Sequence, residues 1–545
     1  MQPFVKTRSV WRSKWMILLV VLGALAVRLI RIEQPFIDPW SWRQSDVAAI
    51  ARNYLENGFH FGRPQIDWAG DAQGYVGTEF PILPFAAAVC YKAMGVQEWI
   101  GRIEGVILFA AALPFFFLLV RRICGEVAAI WAIFFYAFAP LSIVASRSFI
   151  PDMPSLSLAI AGAWFFLVWT EKEKRWALLV SALLLALSFL IKITAVVIVP
   201  VLVYLAIVRA REDWAVRRPL GLGGGSATPN SLREPAAAPW SNGGSEFAAP
   251  GHGESVRRRT WLAFLARWEI WAFAAIVILP SATWYWHAYQ ISKTYYPYHF
   301  FGGGGFRIMG PLWYWAIAKE TLLSSVTPVL FALSVLGAFV PVLTKQKWAF
   351  HWWLAAMVAF VFFAGWGNRH QWYQLPLVPI AAAFAGCFCQ WTASRLQWQR
   401  AVMALAFASL VVGFGMSSYH ATLPFYRPTS AALRNLGLEL KEATTPQSLI
   451  VAADTGNPTA FYYAHRKGWH FIEDGLYQGP PADSRQAIAD LDKLRGRGAS
   501  HLVFPSNTRW WFQYYPEFAG HVAKTTTLVE ETPDFTIYKL RPAVR

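Results

Sequence analysis

Four groups of polar side chains lie beside apolar segments of this chain, where an unpartnered charge is costly. The first group is in Trp40-Ser-Trp-Arg-Gln-Ser-Asp46 and is joined by Thr78-Glu79-Phe-Pro81. The second group is Arg147 with Asp152, the third is Lys192 alone, and the fourth is Arg369, His370 and Tyr373. The candidate catalytic residues are Asp46, Glu79 and Asp152, and the candidate phosphate-binding residues are Arg43, Gln44, Arg147, Lys192, Arg369, His370 and Tyr373.

These residue types suit transfer of a sugar from a lipid-linked phosphosugar. The leaving group is a lipid phosphate, whose developing charge Arg and Lys can neutralise from fixed positions. The acceptor hydroxyl needs a base, and a carboxylate near the sugar can supply it. Any one of these residues alone is more often ordinary solvated structure. The interpretation therefore depends on the convergence of all four groups on one face of a membrane.

Two of these residues have simpler interpretations that the sequence leaves open. Asp46 precedes Ala48–Asn57, which is predicted to form a short surface helix, and Asp is a favoured N-cap residue. Lys192 lies between two apolar runs, and its ammonium group can reach the membrane interface by snorkelling rather than bind phosphate.

The composition predicts a membrane protein, which is the setting that the proposed chemistry of these residues requires. The 545 residues are 56% hydrophobic and 15% charged, and they include 29 Trp. A soluble domain could not bury so much apolar surface. Lys and Arg outnumber Asp and Glu by 49 to 32, and the excess lies in the apolar part of the chain, which argues against a nucleic-acid-binding patch.

Apolar segments of suitable length predict eleven membrane crossings. A span needs about 20 apolar residues, so the segment Pro81–Met94 is short, and its placement decides the topology. The positive-inside rule favours an arrangement in which it does not cross, with the N-terminus inside and the C-terminus outside. The predicted spans are 15–32, 99–120, 124–143, 154–170, 175–191, 193–209, 262–285, 321–343, 348–364, 371–391 and 400–417.

The fold class predicted is a polytopic α-helical membrane protein with a small C-terminal extracytoplasmic α/β domain. The membrane domain covers 1–419, with an outer loop at 33–98 and a flexible cytoplasmic linker at 210–260 rich in Gly, Pro, Ala and Ser. An α/β domain is predicted at 420–545, where strands at 448–453 and 501–505 and a terminal hairpin at 525–531 and 535–540 alternate with helices at 458–465 and 484–495. Gly302–Gly305 lack the Lys-Ser or Lys-Thr of a phosphate-binding loop and predict a hinge or lid instead.

Several motifs resemble those of a known family. They are Arg43-Gln-Ser-Asp46, Gly77-Thr-Glu-Phe-Pro81, Pro151-Asp152, Leu190-Ile-Lys192, Arg369 with Tyr373-Gln-Leu-Pro376, and Tyr462-Tyr-Ala-His-Arg-Lys-Gly-Trp469. The chain resembles the polyprenyl-phosphate-sugar glycosyltransferases of the GT-C fold, especially bacterial members of glycosyltransferase family 39. These are similar to protein O-mannosyltransferases and to the aminoarabinose transferase that acts on lipid A.

The resemblance implies a catalytic acid in the first outer loop, a role that Asp46 inherits, with Asp152 as the second loop acid. Many relatives have an adjacent Asp-Glu pair, whereas Val47 follows Asp46 here. The lipid A enzyme has Lys-Pro-Pro where this chain has Glu79-Phe-Pro81. The sugar, the acceptor and any dependence on a divalent metal therefore stay open, and no other cofactor is indicated.

The expected partners are a polyprenyl-phosphate sugar donor, a lipid, glycan or protein acceptor, and membrane lipids, with no nucleic acid. The expected location is a bacterial inner membrane, with the active site facing the periplasm or exterior. Two alternatives are a polymerase or ligase of lipid-linked oligosaccharides and a transporter or flippase of lipid-linked sugars. A transporter would place its ionisable residues near the bilayer midplane, often in repeated halves, and the sequence shows no such repeat.

Overall fold

The computed structural model describes residues 6–217, 266–301, 305–395, 399–473 and 479–542. Helices dominate the chain as far as residue 443, and a β-sheet with covering helices follows. The helices, in chain order, are α1 (Lys6–Leu29), α2 (Ser41–Glu56), α3 (Ile82–Met94), α4 (Glu98–Cys124), α5 (Glu126–Phe138), α6 (Pro140–Ser146), α7 (Asp152–Lys172), α8 (Arg175–Ile191), α9 (Val199–Arg217), α10 (Trp268–Thr294), α11 (Pro311–Glu320), α12 (Pro328–Ala338), α13 (Ala349–Phe363), α14 (Leu377–Arg395), α15 (Arg400–Thr422), α16 (Ala431–Ala443), α17 (Thr459–Ala464), α18 (Ser484–Gly496), α19 (Trp511–Tyr514) and α20 (Pro516–Thr525).

The helical part is built to cross a membrane several times. Within the described residues, 5 helices are long and apolar enough to span, or up to 7 if each of two bent pairs is one crossing. The bent pairs are α5 with α6, and the segment 311–325 with α12. The chain is therefore a multi-pass membrane protein, as predicted. Each of the eleven predicted spans overlaps a helix, while the number of crossings itself stays a prediction.

Close helix packing depends on small residues, as is usual inside membranes. Gly386 of α14 lies against the carbonyl of Ala128 in α5, and Gly337 of α12 lies against the carbonyl of Phe384 in α14. A side chain at either glycine would meet the backbone of the neighbouring helix. These contacts bring α5, α12 and α14 close together.

The C-terminal part contains a five-stranded sheet with the order β2-β1-β3-β5-β4. Its strands are β1 (Leu449–Ala452), β2 (Lys467–His470), β3 (Ala499–Pro505), β4 (Thr526–Glu531) and β5 (Phe535–Leu540). β1 pairs in parallel with β2 and β3, so crossover connections containing α17 and α18 join these strands. β5 pairs antiparallel with β3 and β4. The predicted α/β pattern and terminal hairpin are present, and the elements that were not predicted are β2, α16, α19 and α20.

The first outer loop covers the edge of this sheet. The amide of Gly468 in β2 donates a hydrogen bond to the carbonyl of Asp67 (3.1 Å), and the amide of Gly70 donates to the carbonyl of Gly468 (2.6 Å). Gly70 has φ +58°, a conformation that glycine adopts at no steric cost. An uncovered strand edge would invite pairing with another chain. The loop therefore has a fixed register against β2.

Further contacts attach the first outer loop and α2 to the C-terminal part. The Arg52 guanidinium donates to the carbonyl of Tyr462 (2.6 Å) and also forms a buried ion pair with Asp67. Ser45 of α2 lies 3.2 Å from the hydroxyl of Thr459. α2 is therefore in contact with the helix that follows β1.

Four predictions need correction or fall partly outside the described residues. The surface helix predicted for Ala48–Asn57 is wrong, because α2 begins at Ser41 and is largely buried. Asp46 thus lies within the helix and does not cap it. The linker predicted for 210–260 starts inside α9, and residues 218–265 lie outside the described residues, as do 302–304 of the predicted glycine hinge. The predicted domain boundary at 419 falls inside α15.

The predicted orientation can be tested by reporter fusion. Alkaline phosphatase fused after Arg545 should be active, because its disulfides form only outside the cytoplasm. The same reporter inserted at residue 230, in the predicted cytoplasmic linker, is the control and should be inactive. A stably expressed but inactive fusion after Arg545 would contradict the eleven-span arrangement.

Candidate functional site

A buried ion cluster of Arg43, Glu79, Asp152 and Lys192 forms where four separate segments meet. Arg43 is in the first turn of α2, Glu79 precedes α3, Asp152 begins α7, and Lys192 follows α8. Arg43 Nη2 donates to both Glu79 carboxylate oxygens (3.0 and 2.9 Å), and Lys192 Nζ donates to Glu79 Oε1 (3.1 Å). Lys192 Nζ also lies 3.6 Å from Asp152 Oδ1. Two cations and two anions thus neutralise one another away from water.

The environment of Glu79 keeps it ionised. Burial alone would raise its pKa, but the charges of Arg43 and Lys192 lower the pKa below its usual value. The Thr78 hydroxyl donates a further hydrogen bond to Glu79 Oε2 (3.0 Å). A carboxylate with this many donors is a weak base. Glu79 is therefore suited to hold the two cations rather than to accept a substrate proton.

Asp46 lies on the same face of α2 as Arg43, three residues later, and has a different environment. The Trp68 indole Nε1 donates to Asp46 Oδ1 (2.9 Å). Asp46 is fully buried, and its Oδ2 has no hydrogen-bond partner among the described residues. Burial raises the pKa of Asp46 to about 6, although Trp68 and the Arg43 charge oppose the shift. A carboxylate of this kind exchanges protons near neutral pH.

A pocket adjoins the ion cluster, between α7, the segment that follows Lys192, α13 and the turn before α14. It is lined by Asp152, Lys192, Tyr373, Trp353 and Trp372, and by apolar residues that include Ala195 and Ile198. Lys192 Nζ lies 5.0 Å from the centre of the Tyr373 ring, a cation–π distance. The pocket therefore places an ammonium group and aromatic rings beside an apolar wall.

Gln44 and Arg147 have partners outside the ion cluster. Gln44 Nε2 donates to both oxygens of Asp38 (3.0 and 2.8 Å), and its Oε1 accepts from the amide of Phe149 (3.2 Å). Arg147 Nη2 donates to the carbonyls of Ile30 and Arg31 (2.9 Å each). Arg147 thus connects the end of α1 to the loop before α7, and Gln44 connects α2 to the loops at Asp38 and Phe149. These contacts hold the loops around the site in place.

Arg369 and His370 flank the site from the turn before α14. Arg369 is exposed, with its guanidinium 4.5 Å from the centre of the Trp366 ring. The His370 ring stacks on Trp372 at 4.7 Å and lies 5.2 Å from Trp42. Burial, together with the Arg369 charge, lowers the pKa of His370 to about 3, so the ring is neutral. The structure thus places His370 against Trp372, which lines the pocket, and leaves Arg369 exposed.

The sequence interpretation missed a second set of residues, contributed partly by the C-terminal part. His470 at the end of β2 lies with Nδ1 2.7 Å from Asp454 Oδ1. The Trp68 ring lies 5.1 Å from the His470 ring and 5.3 Å from the His299 ring. His470 follows the Tyr462–Trp469 motif directly in the sequence. Nothing in the sequence alone pairs it with Asp454 or with the first outer loop.

The carboxylates at this site do not suit a divalent metal. Within the described residues, no group of three or more His, Cys, Asp or Glu side chains is arranged to hold an ion. Glu79 and Asp152 already bond to fixed cations. A metal would have to displace those cations, so the donor set does not fit one.

Comparisons with known proteins agree with this architecture. Residues 78–226 match the family model described as dolichyl-phosphate-mannose-protein mannosyltransferase. A search of curated proteins finds no significant match. The structure is similar to that of ArnT from Cupriavidus metallidurans bound to undecaprenyl phosphate, with a TM-score of 0.63, 14% identity, and coverage of 97% of this chain and 98% of that one.

A second similar structure is the oligosaccharyltransferase AglB from Archaeoglobus fulgidus, in complex with an inhibitory peptide and a dolichol-phosphate. Its TM-score is 0.56, with 12% identity and coverage of 97% of this chain and 74% of that one. The resemblance predicted from the sequence is confirmed: the chain has the GT-C fold and is similar to ArnT and to the protein mannosyltransferase family.

Proposed function

We propose that the protein is a membrane glycosyltransferase that moves a sugar from a polyprenyl-phosphate donor to an acceptor hydroxyl at the extracytoplasmic face of a bacterial inner membrane. The observation that carries the proposal is the buried Asp46 carboxylate, whose Oδ2 has no hydrogen-bond partner among the described residues and which lies one helical turn from Arg43 of the ion cluster. The similarity to a protein crystallised with undecaprenyl phosphate supports the choice of donor.

Arg43 and Lys192 are the proposed ligands of the donor phosphate. The side-chain hydrogen bonds of Arg43 to the described residues come from Nη2, so Nη1 and Nε can turn to a phosphate. Lys192 also lines the pocket, where its ammonium has an apolar wall on one side. Charge-assisted bonds to phosphate are roughly twice as strong as neutral ones. Glu79 and Asp152, predicted as catalytic acids, act here as positioning residues that hold these two cations.

Asp46 is the proposed base in a single displacement. Asp46 Oδ2 accepts the proton of the acceptor hydroxyl while the hydroxyl oxygen forms a bond to the anomeric carbon. The bond from the anomeric carbon to the phosphate oxygen breaks, and the lipid phosphate leaves with the electron pair. Arg43 and Lys192 neutralise the resulting charge. Attack from the face opposite the leaving group inverts the anomeric configuration.

A second candidate is a ligase that transfers a lipid-linked oligosaccharide. The structural similarity to AglB favours it, because that protein is an oligosaccharyltransferase. The two functions differ in donor. Comparing single-sugar polyprenyl phosphates with oligosaccharide polyprenyl diphosphates, by measuring release of the lipid carrier, separates them.

The role of Asp46 is tested by Asp46→Asn. Asparagine keeps an oxygen for the Trp68 N–H but cannot accept a proton, so the transfer rate should fall roughly 10² to 10⁴-fold. Release of polyprenyl phosphate from a polyprenyl-phosphate sugar measures the rate. Asp492→Asn, at a half-buried acid of the C-terminal part that pairs with Arg495, is the control and should retain the parent rate. A near-parent rate in Asp46→Asn would refute the assignment.

The pH dependence of transfer should follow the same carboxylate. Asp46 has a pKa of about 6, and only its ionised form accepts a proton, so kcat should rise as the pH increases from 5 to 7. The pKa of His299 is lowered to about 4 by burial and that of His370 to about 3, so both rings stay neutral over this range. Donor binding measured at each pH is the control. A rate independent of pH between 5 and 7 would contradict the prediction.

The phosphate ligands are tested by Lys192→Ala and Arg43→Ala. Loss of a charge-assisted bond should weaken donor binding by roughly tenfold or more. Binding of undecaprenyl phosphate to the purified protein is the measurement. Lys293→Ala, which removes an exposed lysine of α10 that lies over Tyr289, is the matched control and should bind normally. Parent-like affinity in both variants would indicate that the ion cluster is structural only.

A further inference from the structure

Two arginines lie beside one tryptophan near the turn before α14. The guanidinium of Arg369 lies 4.5 Å from the centre of the Trp366 ring, and that of Arg307 lies 5.4 Å from the centre of the Trp366 rings. Trp313 of α11 stacks on Trp366, with 5.3 Å between the ring centres. These four residues are named the arginine platform.

Backbone and indole hydrogen bonds hold the arginine platform together. The amide of Arg307 donates to the carbonyl of Phe363 at the end of α13 (2.8 Å), and the Trp313 indole N–H donates to the carbonyl of Gly365 (2.8 Å). A Cβ atom at Gly365 would lie 2.7 Å from the carbonyl oxygen of Arg307, so only glycine allows the two segments to approach this closely. The fold therefore fixes the backbone positions from which the two arginines extend.

The positive charges of the arginine platform have no acidic partner in the part of the chain that the structure describes. There, neither Arg307 nor Arg369 forms an ion pair or donates a side-chain hydrogen bond. Arg43 and Arg52, by contrast, each pair with a carboxylate. A guanidinium carries five N–H donors in a planar fork. Two neighbouring cations repel one another, and an anion bound between them replaces this repulsion with attraction.

Exposed apolar side chains surround the arginine platform. Phe306 is 91% exposed and Leu312 is 83% exposed, and the Trp315 ring is exposed as well. The platform lies at the start of two candidate membrane spans, one that contains α14 and one formed by the bent pair of the segment 311–325 with α12. Tryptophan is enriched at this level of membrane proteins, where lipid head groups meet the hydrocarbon. Cations beside exposed apolar surface suit an amphiphile with an anionic head.

We propose that the arginine platform is a binding site for an anionic phospholipid of the surrounding membrane. Arg307 and Arg369 donate hydrogen bonds to its phosphate oxygens, whose geometry the planar guanidinium fork matches. The acyl chains lie against Phe306 and Leu312. Trp366 is the positioning residue that holds both guanidiniums beside one phosphate.

This lipid site is separate from the proposed donor site. The buried ion cluster that is proposed to hold the donor phosphate is nearly inaccessible to water, whereas Arg307 and Arg369 are exposed. Arg369, which the sequence predicts as a ligand of the donor phosphate, is thus assigned to a second phosphate. His370 follows it and stacks on Trp372, which lines the pocket. A bound phospholipid therefore holds the turn that forms one wall of the pocket.

Lipid binding to the purified full-length protein tests the proposal. Native mass spectrometry measures the affinity for phosphatidylglycerol, which is anionic, and for phosphatidylcholine with the same acyl chains, which is zwitterionic. The parent protein should bind phosphatidylglycerol more tightly. Arg307→Gln and Arg369→Gln should each weaken phosphatidylglycerol binding roughly fivefold, the contribution of one basic residue at an anionic lipid. Arg307→Lys and Arg369→Lys, which keep the charge, should retain part of this affinity.

Arg63→Gln is the matched control. Arg63 is an exposed arginine 5.7 Å from the centre of a single aromatic ring, that of Tyr75, so its loss should leave phosphatidylglycerol binding unchanged. Thermal unfolding checks that each variant is folded. Parent-like affinity for phosphatidylglycerol in both folded Gln variants would overturn the proposal.

Two further ligands distinguish other sources of the phosphate. Inorganic phosphate should not displace phosphatidylglycerol, because it lacks the acyl chains, and displacement would overturn the assignment to a lipid. Undecaprenyl phosphate should bind the parent and the Arg307→Gln variant equally. Weaker undecaprenyl phosphate binding with parent-like phosphatidylglycerol binding would assign the arginine platform to the donor instead.

Discussion

The structure of the site depends on neutralising buried charge with protein groups. Glu79 lies between Arg43 and Lys192, and each of the three is nearly inaccessible to water. Removing one member would leave an uncompensated buried charge, which typically costs 3–5 kcal/mol. Because Arg43, Glu79 and Lys192 come from three distant segments, this one cluster fixes α2, the end of α8 and the start of α3 relative to one another.

The second constraint is the pairing of the first outer loop with the edge of β2. Without it, the C-terminal sheet would have an exposed edge and the loop would have unpaired backbone groups. The pairing satisfies both and places Trp68 between Asp46 and His470. The end of β2 in the C-terminal sheet thus lies against Trp68, which donates a hydrogen bond to Asp46 of α2.

The sequence was sufficient for features with a strong local signal. Hydropathy located the helices, and strand alternation located β1, β3 and the terminal hairpin. It failed where tertiary contacts decide the outcome. β2 is as short as β1, but its residues are Lys-Gly-Trp-His, so it lacks the run of apolar side chains that marks β1. α2 begins at Ser41 rather than at Ala48 because its first turns are buried and hydrogen-bonded to Glu79, Asp38 and Thr459, and no side chain caps its start.

The candidate residues show the same limit, because residue type does not reveal whether a polar group already has a partner. In the sequence, Gln44 and Arg147 are polar residues beside apolar segments, as Arg43 is. In the structure, however, their side chains already form hydrogen bonds with carbonyl, carboxylate and amide groups of nearby loops. Among the acids predicted as catalytic, Glu79 and Asp152 are bonded to cations, whereas Asp46 keeps a buried oxygen without a partner in the described residues. An unsatisfied buried carboxylate oxygen is costly, so such an atom persists where a substrate completes it. That distinction, visible only once the partners are known, is the reason why Asp46, of the three acids predicted as catalytic, is the proposed base.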